Sequence, residues 1–134
     1  MYRFVGIDDH GGAEYGRPMA HLHQRVHVSA HKSATVRMLV DTGATYSVIP
    51  KSLARTLGIT HLRPVRVSLA NGQRVKVDAG LAIFALGGRE APSTILVADV
   101  IEPILGVGTL DALGLQVDLR RRRVKRSRPY AVRL

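Results

Sequence analysis

The sequence predicts an all-β domain with one or two short helices. Apolar and polar residues alternate along residues 63–70 and again along residues 73–80, as in strands with one buried face. The apolar run at residues 81–86 follows a glycine, and the segment 93–98, whose last four residues are apolar, follows a proline; both are typical of core strands. Helical spacing is confined to two short stretches. We therefore expect a domain of strands in which helices serve as connections.

Length and composition limit what such a domain contains. The chain has 134 residues and no cysteine, so we expect one domain without disulfides or thiolate metal sites. The N-terminus reaches Asp8 and Asp9 too early for a secretory signal, and no apolar run approaches the ~18 residues of a membrane span. We therefore expect a cytoplasmic protein with no membrane segment.

The chain divides into three predicted parts. Residues 1–18 mix glycine, proline and polar side chains without a sustained period and are expected to form a loosely ordered arm. Residues 19–119 carry the strand patterns and form the predicted domain. Residues 120–134 hold eight basic side chains and no acid, which leaves twelve basic against ten acidic residues in the rest. The formal charge of +10 therefore comes mainly from the C-terminal segment.

The basic segment has two interpretations. Blocks of like charge repel and seldom fold alone, so we favour a solvated, partly disordered tail. The alternative is a contact with nucleic acid or an acidic partner through residues 120–128. Tyr130 is the only aromatic side chain in the segment, which gives little support for base stacking.

The first predicted strand, within residues 19–29, carries two histidines. Val26 and Val28 alternate with polar residues there, and His21 and His23 share one face of the strand. A metal site needs further ligands in a defined geometry, and the sequence places none beside these two. We therefore favour a solvated strand face over a metal site.

The next strand ends in a carboxylate. Residues 35–40 are rich in β-branched and apolar side chains, so we expect a strand that ends inside the core. It delivers Asp41 to a tight turn with Thr42 and Gly43, before another predicted strand at residues 45–49. Asp41 therefore lies in a loop between two strands, beside a hydroxyl and an unobstructed N–H.

A helix and a hairpin follow. Residues 51–58 have helical apolar spacing and a glycine stop. The dipeptide Asn71-Gly72 separates two alternating segments and predicts a hairpin with a type I′ turn, which requires φ > 0 at both residues. Asp78 precedes another glycine but falls in the polar phase of its strand, so we expect it to face solvent.

The C-terminal third contains a second short motif. Ile104-Leu105-Gly106 leads into a helix predicted at residues 109–114, which ends in a glycine. Residues 115–119 are predicted as the last core strand.

These motifs together resemble a known family. Residues 39–44, Leu-Val-Asp-Thr-Gly-Ala, resemble the active-site segment of retropepsin-like aspartic proteases. Residues 104–106 are similar to the second signature of that family, and residues 68–75 to its flap hairpin. The likeness spans roughly residues 26–119, in an order and spacing that fit one lobe. It implies a closed β-barrel of the acid-protease type.

The resemblance implies an aspartic endopeptidase that acts on polypeptides as a homodimer, without metal or cofactor. Two copies of one carboxylate held close together cannot both ionise easily, so they share a proton around an activated water. The implied catalytic residues are Asp41, Thr42 and Gly43. The implied substrate-binding residues are Ala44, Thr45, Ala70, Asn71, Gly72 and Gln73.

One departure from the family pattern leaves an alternative open. Viral members carry an acid at the position of Thr45 and an arginine at the position of Val107, and these join in an ion-pair network that supports the dimer. Both charges are replaced here together, which avoids leaving one charge buried without its partner. The alternative is a catalytically weak peptide-binding or interaction module of the same fold, with the basic segment as a docking tail.

Overall fold

The computed structural model describes residues 22–127. Within that range no helix is long and apolar enough to cross a membrane. The described elements, in chain order, are β1 (Leu22–Ser29), β2 (Ser33–Asp41), β3 (Ser47–Pro50), α1 (Lys51–Leu57), β4 (Arg63–Ser68), β5 (Arg74–Leu86), β6 (Arg89–Ala98), β7 (Ile104–Gly106), α2 (Val107–Ala112), β8 (Leu115–Asp118) and β9 (Arg123–Arg126).

Seven of these strands form one sheet in the order β1-β2-β7-β3-β6-β5-β4. A further pairing of β1 with β5, centred on Val28 opposite Phe84, closes six strands into a barrel and leaves β4 attached to β5. Closure covers part of the outer edge of β1, whereas β4 pairs only with β5 among the described strands and keeps a free edge. The predicted all-β fold, a closed barrel with two short helices, is confirmed.

Two apolar clusters stabilise the barrel. The larger cluster includes the fully buried Met38, Phe84 and Leu105 and also contacts α1 and α2 through their buried leucines. The smaller cluster joins the β4–β5 hairpin to the loop after β2, because it contains both Leu69 and Ala44. Burial of each large side chain contributes about 1.5–3 kcal/mol. The hairpin and the Asp41 loop therefore share one packing unit.

Strand β5 corrects one prediction. The alternating segment 73–80 and the apolar run 81–86 form a single strand. Leu81 is 67% exposed and Ile83 is 41% exposed, whereas Ala82 and Phe84 between and after them are buried. The prediction of a separate core strand at 81–86 is wrong, because consecutive side chains on a strand point to opposite faces.

The turn between β4 and β5 also differs from its prediction. The N–H of Leu69 donates to the carbonyl of Gln73 at 2.7 Å, and the N–H of Gly72 donates to the carbonyl of Leu69 at 3.0 Å. Gly72 has φ 88°, while Asn71 does not have a positive φ. These contacts fit a three-residue loop that ends in a left-handed glycine. The predicted two-residue type I′ turn is therefore wrong.

Several boundaries also differ from the sequence predictions. Strand β3 begins at Ser47 instead of residue 45, and α2 begins at Val107 instead of residue 109. Residues 19–21 of the predicted first strand, and the predicted arm at 1–18, lie outside the described residues.

The start of the basic segment is folded. Strand β9 pairs antiparallel with β8 in a separate two-stranded sheet, with Val117 opposite Val124. Both valines pack against the larger apolar cluster. We predicted a core strand at 115–119 followed by a solvated, partly disordered tail from residue 120. The structure instead places both parts in one hairpin as far as residue 126, which packing of the two valines stabilises. The basic side chains of residues 120–126 are exposed to solvent, as predicted.

Arg89, the first residue of β6, fixes the end of α2. It is only 8% exposed, and its Nη1 donates to the carbonyls of Leu113 at 2.9 Å and Gly114 at 3.0 Å. The last carbonyls of a helix lack partners within the helix and carry its negative dipole end. The buried Arg89 guanidinium donates hydrogen bonds to carbonyls at this end of α2 and brings a positive charge to the negative end of the helix dipole.

We expect Arg89→Met to lower the free energy of unfolding by about 2–4 kcal/mol, because buried carbonyls lose a charged donor. Urea unfolding followed by circular dichroism measures the change. Arg66→Met, at an exposed position of β4, is the matched control and should change stability by no more than about 0.5 kcal/mol. Equal stabilities of the two variants would contradict the assigned role.

Candidate active site

Asp41 is the last residue of β2 and lies beside Gly106, the last residue of β7. The two strands are parallel, with Val40 opposite Leu105 and Asp41 opposite Gly106. Val40 and Leu105 are buried, so apolar packing fixes the register just before both strands leave the core. The fold thus brings the two sequence motifs side by side.

The Asp41 carboxylate is oriented by its own loop. The N–H of Gly43 donates to Asp41 Oδ1 at 2.9 Å, and the N–H of Ala44 donates to the Asp41 carbonyl at 3.1 Å. This is the local side-chain-to-backbone bonding that aspartate favours in turns. Asp41 and Gly43 are half-buried, Thr42 is exposed and Ala44 is buried. The loop therefore holds a carboxylate in a defined orientation while leaving it partly accessible.

The start of α2 supports this loop from below. The N–H of Val107 donates to the carbonyl of Ala44, and the N–H of Gly108 to the carbonyl of Thr45, each at 2.8 Å. A Cβ at Gly106 would lie 2.5 Å from the backbone of Tyr46. One at Gly108 would lie 2.8 Å from the Thr45 carbonyl oxygen. Only glycine allows two backbones to approach so closely.

Three hydroxyl groups connect the loop to the rest of the barrel. Ser47 Oγ accepts from the N–H of Gly106 at 3.0 Å and hydrogen bonds with Thr109 Oγ1 at 2.6 Å. Thr109 Oγ1 also hydrogen bonds with Ser93 Oγ at 2.9 Å. Ser47 and Thr109 are fully buried. The group joins β3, β6, β7 and α2 beneath the Asp41 loop.

Sequence reasoning did not find this set of three hydrogen-bonded hydroxyls. It did not single out Ser47 or Ser93, and it gave Thr109 only a place at the start of a helix. One signal was available, because a serine directly before the apolar pair Val48 and Ile49 is a polar residue at the edge of a core strand. Its partners lie far away in the chain, so local pattern does not reveal them.

The other predicted substrate contacts lie on two nearby elements. Ala44 is buried and Thr45 is exposed in the Asp41 loop. All four predicted residues at the tip of the β4–β5 hairpin are exposed. They are Ala70, Asn71, Gly72 and Gln73. The neighbouring Leu69 belongs to the same apolar cluster as Ala44, so the hairpin packs toward the loop while its tip stays accessible.

The two positions that depart from the viral pattern also lie here. Thr45 is exposed, and Val107 is 36% exposed at the start of α2. Main-chain hydrogen bonds join the segments that carry them. The two replacements are therefore neighbours in the structure and place two uncharged side chains beside the loop.

The predicted solvated strand face at His21 and His23 needs correction. His23 is not simply solvated, because its Nε2 donates to Glu102 Oε1 at 2.8 Å and its side chain is only 17% exposed. His21 lies outside the described residues. Across residues 22–127, no three His, Cys, Asp or Glu side chains form a group able to hold a metal ion.

Asp78 is exposed, which confirms the prediction that it faces solvent.

A groove of about 940 Å³ lies elsewhere on the chain. It runs between the β1–β2 turn, the segment after α1 and the middle of β5, with Leu62, Val65 and Leu81 among its apolar walls. Asp41 is not part of its lining. We therefore locate the candidate site by its carboxylate geometry and not by the size of this groove.

Comparisons with known proteins agree with this geometry. A sequence model of the family described as aspartyl protease matches residues 26–116, a range that contains the Asp41 loop, the hairpin and β7. Among solved structures 268 chains match. One is the EIAV protease complexed with the inhibitor HBY-793, with a TM-score of 0.58 and 24% identity over 73% of this chain and 92% of that chain. No curated protein matches. The chain belongs to the aspartyl protease family and has the retropepsin fold.

Proposed function

We propose that the protein is an aspartic endopeptidase that acts as a homodimer, with one Asp41 from each subunit beside a shared water. The observation that carries the proposal is the carboxylate held by Gly43 at 2.9 Å on a partly accessible loop. The sequence has one Asp-Thr-Gly segment per chain. A pair of such carboxylates therefore requires a second copy related by a two-fold axis, in which each subunit contributes the same patch.

The chemistry follows from a shared proton. Two carboxylates in contact repel when both ionise, so one stays protonated while the other is charged. The ionised Asp41 accepts a proton from the water as the water oxygen attacks the peptide carbonyl carbon. The protonated Asp41 meanwhile donates to the carbonyl oxygen. As the tetrahedral intermediate collapses and the C–N bond breaks, the Asp41 that took the water's proton donates it to the leaving nitrogen. The other Asp41 takes a proton back from a hydroxyl of the intermediate, so the pair is again singly protonated and no covalent enzyme intermediate forms.

The surface around the loop suits a second copy. Thr42 is exposed beside Asp41, where its hydroxyl can hydrogen bond to the partner loop. Tyr46 is 41% exposed and Val107 is 36% exposed, and both flank the contact between the loop and α2. Association with a second copy through this face would cover both side chains. The absence of charge at Thr45 and Val107 fits an interface maintained by packing instead of ion pairs.

The β4–β5 hairpin fits the role of a flap over the substrate. Its tip residues 70–73 are exposed, while Leu69 anchors the base of the tip in the apolar cluster that contains Ala44. A mobile tip on an anchored base closes over a bound peptide and excludes water from the developing charge. Ala44 gives a small cleft wall, and Gly43 lets the substrate backbone approach.

A catalytically weak peptide-binding module is the second candidate. The specific observation in its favour is the loss of both charged positions at Thr45 and Val107, because a weaker dimer assembles fewer carboxylate pairs. Peptide binding by the wild-type chain without cleavage would favour this candidate. The cytoplasmic location stays a prediction from the sequence.

We expect Asp41→Asn to reduce peptide cleavage by about 10²–10⁴-fold, because the amide cannot act as an acid or base. The fold should persist, since asparagine keeps the Oδ1 acceptor for the Gly43 N–H. Mass spectrometry of a diverse peptide mixture measures cleavage, and circular dichroism monitors the fold. Asp78→Asn, at an exposed position of β5, is the matched control and should cleave like the wild type. Full cleavage by folded Asp41→Asn would exclude the aspartic mechanism.

We expect Ser47→Ala to lower the free energy of unfolding by about 1–3 kcal/mol, because the Gly106 N–H loses its bond to Ser47 and the buried Thr109 hydroxyl keeps only its bond to Ser93. The loosened loop should also lower kcat more than it raises KM, because Ser47 supports the position of Asp41 without contacting substrate. Chemical denaturation and steady-state kinetics below the unfolding transition separate the two effects. Ser52→Ala, on the exposed face of α1, is the control. Wild-type stability in Ser47→Ala would show that the hydrogen bonds of the Ser47 hydroxyl do not stabilise the fold.

A further inference from the structure

The hairpin formed by residues 115–126, here called the basic hairpin, presents a dense positive surface. Residues 120–126 contribute six of the sixteen basic side chains in residues 22–127, and all six are exposed. They are Arg120, Arg121, Arg122, Arg123, Lys125 and Arg126. Asp118 is the only acidic residue of the hairpin. The charge is therefore concentrated at one end of one element.

The fold holds these charges in place. Val117 and Val124 face each other across the two strands and pack on the larger apolar cluster. The N–H of Ser127 donates to the carbonyl of Gly114 at 2.9 Å, which continues the strand pairing past β9. The backbone that carries the arginines is thus ordered before any partner arrives, so less conformational entropy is lost on binding.

The single acid in the hairpin has a structural task. Asp118 Oδ1 accepts from the backbone N–H of Arg121 at 3.1 Å. That hydrogen bond is the main reason that the pKa of Asp118 is lowered; desolvation opposes it, and the charges of Lys125 and Arg121 lower the pKa further. Asp118 therefore shapes the turn, while one negative charge leaves most of the positive surface uncompensated.

The turn also contains a strained residue. Arg122 has φ 54° and is the only non-glycine residue in the described range with a positive φ. Glycine adopts this conformation without the steric cost that a side chain incurs. Strained backbone tends to persist at functional positions. An arginine at this point keeps a positive charge at the tip of the turn, where a glycine would fit the backbone better.

We propose that the basic hairpin binds the phosphate backbone of nucleic acid without reading its sequence. Five of the six side chains are arginines, whose planar guanidinium groups match phosphate oxygens in pairs. Residues 115–127 contain no aromatic side chain for base stacking. Leu119 is the one large apolar side chain exposed there, which offers little area for insertion into a membrane. This proposal is independent of the peptidase site.

The test measures the affinity of the full-length protein for a fluorescent 20-base-pair DNA duplex and a 20-nucleotide RNA strand by anisotropy. At physiological salt we expect a Kd of about 10⁻⁴–10⁻⁶ M, independent of sequence. Binding through about five phosphates should weaken with a slope of log K against log salt near −4 to −5 for the duplex and about −3.5 for the single strand. Salt-resistant or sequence-selective binding would overturn the proposal.

Two matched variants locate the binding surface. The hairpin variant should lose at least about tenfold in affinity, with a salt slope shallower by about 3 to 4. It combines Arg120→Gln, Arg121→Gln, Arg123→Gln and Lys125→Gln. The control variant removes the same charge from exposed positions elsewhere and should retain most of the affinity. It combines Arg25→Gln, Arg37→Gln, Lys51→Gln and Arg55→Gln. Equal losses in the two variants would mean that net charge alone drives binding and would refute a site on the hairpin.

A single substitution separates binding from folding. Arg122→Gly should raise the Tm, because the strain at φ 54° is relieved, and should weaken duplex binding, because one charge is lost. A lower affinity in a more stable protein cannot result from unfolding. Unchanged affinity in this variant, or tighter binding of the wild type to polyglutamate or anionic vesicles than to the duplex, would overturn the proposal.

Discussion

The close contact between the start of α2 and the Asp41 loop is the constraint on which the site depends. The N–H groups of Val107 and Gly108 donate to the loop carbonyls, so the backbones of α2 and the loop lie close together. At Gly106 the loop backbone leaves no room for a side chain. Once these bonds form, the loop has a fixed position relative to β7. The orientation of the Asp41 carboxylate then follows from its own short hydrogen bond to Gly43.

The surrounding structure maintains that contact from several directions. Ser47 bonds the Gly106 N–H from inside the barrel, and Arg89 holds the carbonyls at the far end of α2. The apolar cluster that contains Ala44 and Leu69 couples the loop to the β4–β5 hairpin. A loop supported at its base holds the Asp41 carboxylate in one orientation while its tip stays exposed.

The sequence predicted the fold and the central motifs for identifiable reasons. Two local signals carried the prediction: Asp41 directly follows one apolar strand, and Gly106 ends another. Burial disfavours an acid at the first position and close backbone approach excludes a side chain at the second, so both residues are informative. Closure of the barrel by β1 and β5 is a long-range pairing, and it entered the prediction through resemblance rather than periodicity.

The errors share a different cause. The run at 81–86 was ambiguous because an unbroken apolar segment does not show which of its residues lie outside, and Leu81 and Ile83 do. The hairpin turn was misassigned because Asn-Gly also fits the end of a three-residue loop. The His23–Glu102 contact joins residues distant in the chain, and β9 depends on the single apolar side chain of Val124. Apart from the turn, which is a local alternative, each of these features depends on contacts between distant parts of the chain.

The most direct test of the paired carboxylates is a subunit-mixing measurement. Wild-type protein and Asp41→Asn are combined at fixed total concentration, allowed to exchange subunits, and assayed for peptide cleavage at several ratios. If both copies of Asp41 are needed in each active unit, activity follows the square of the wild-type fraction, so an equal mixture retains about one quarter of full activity. A linear dependence, with about one half retained in the equal mixture, would contradict the shared pair and assign catalysis to a single chain.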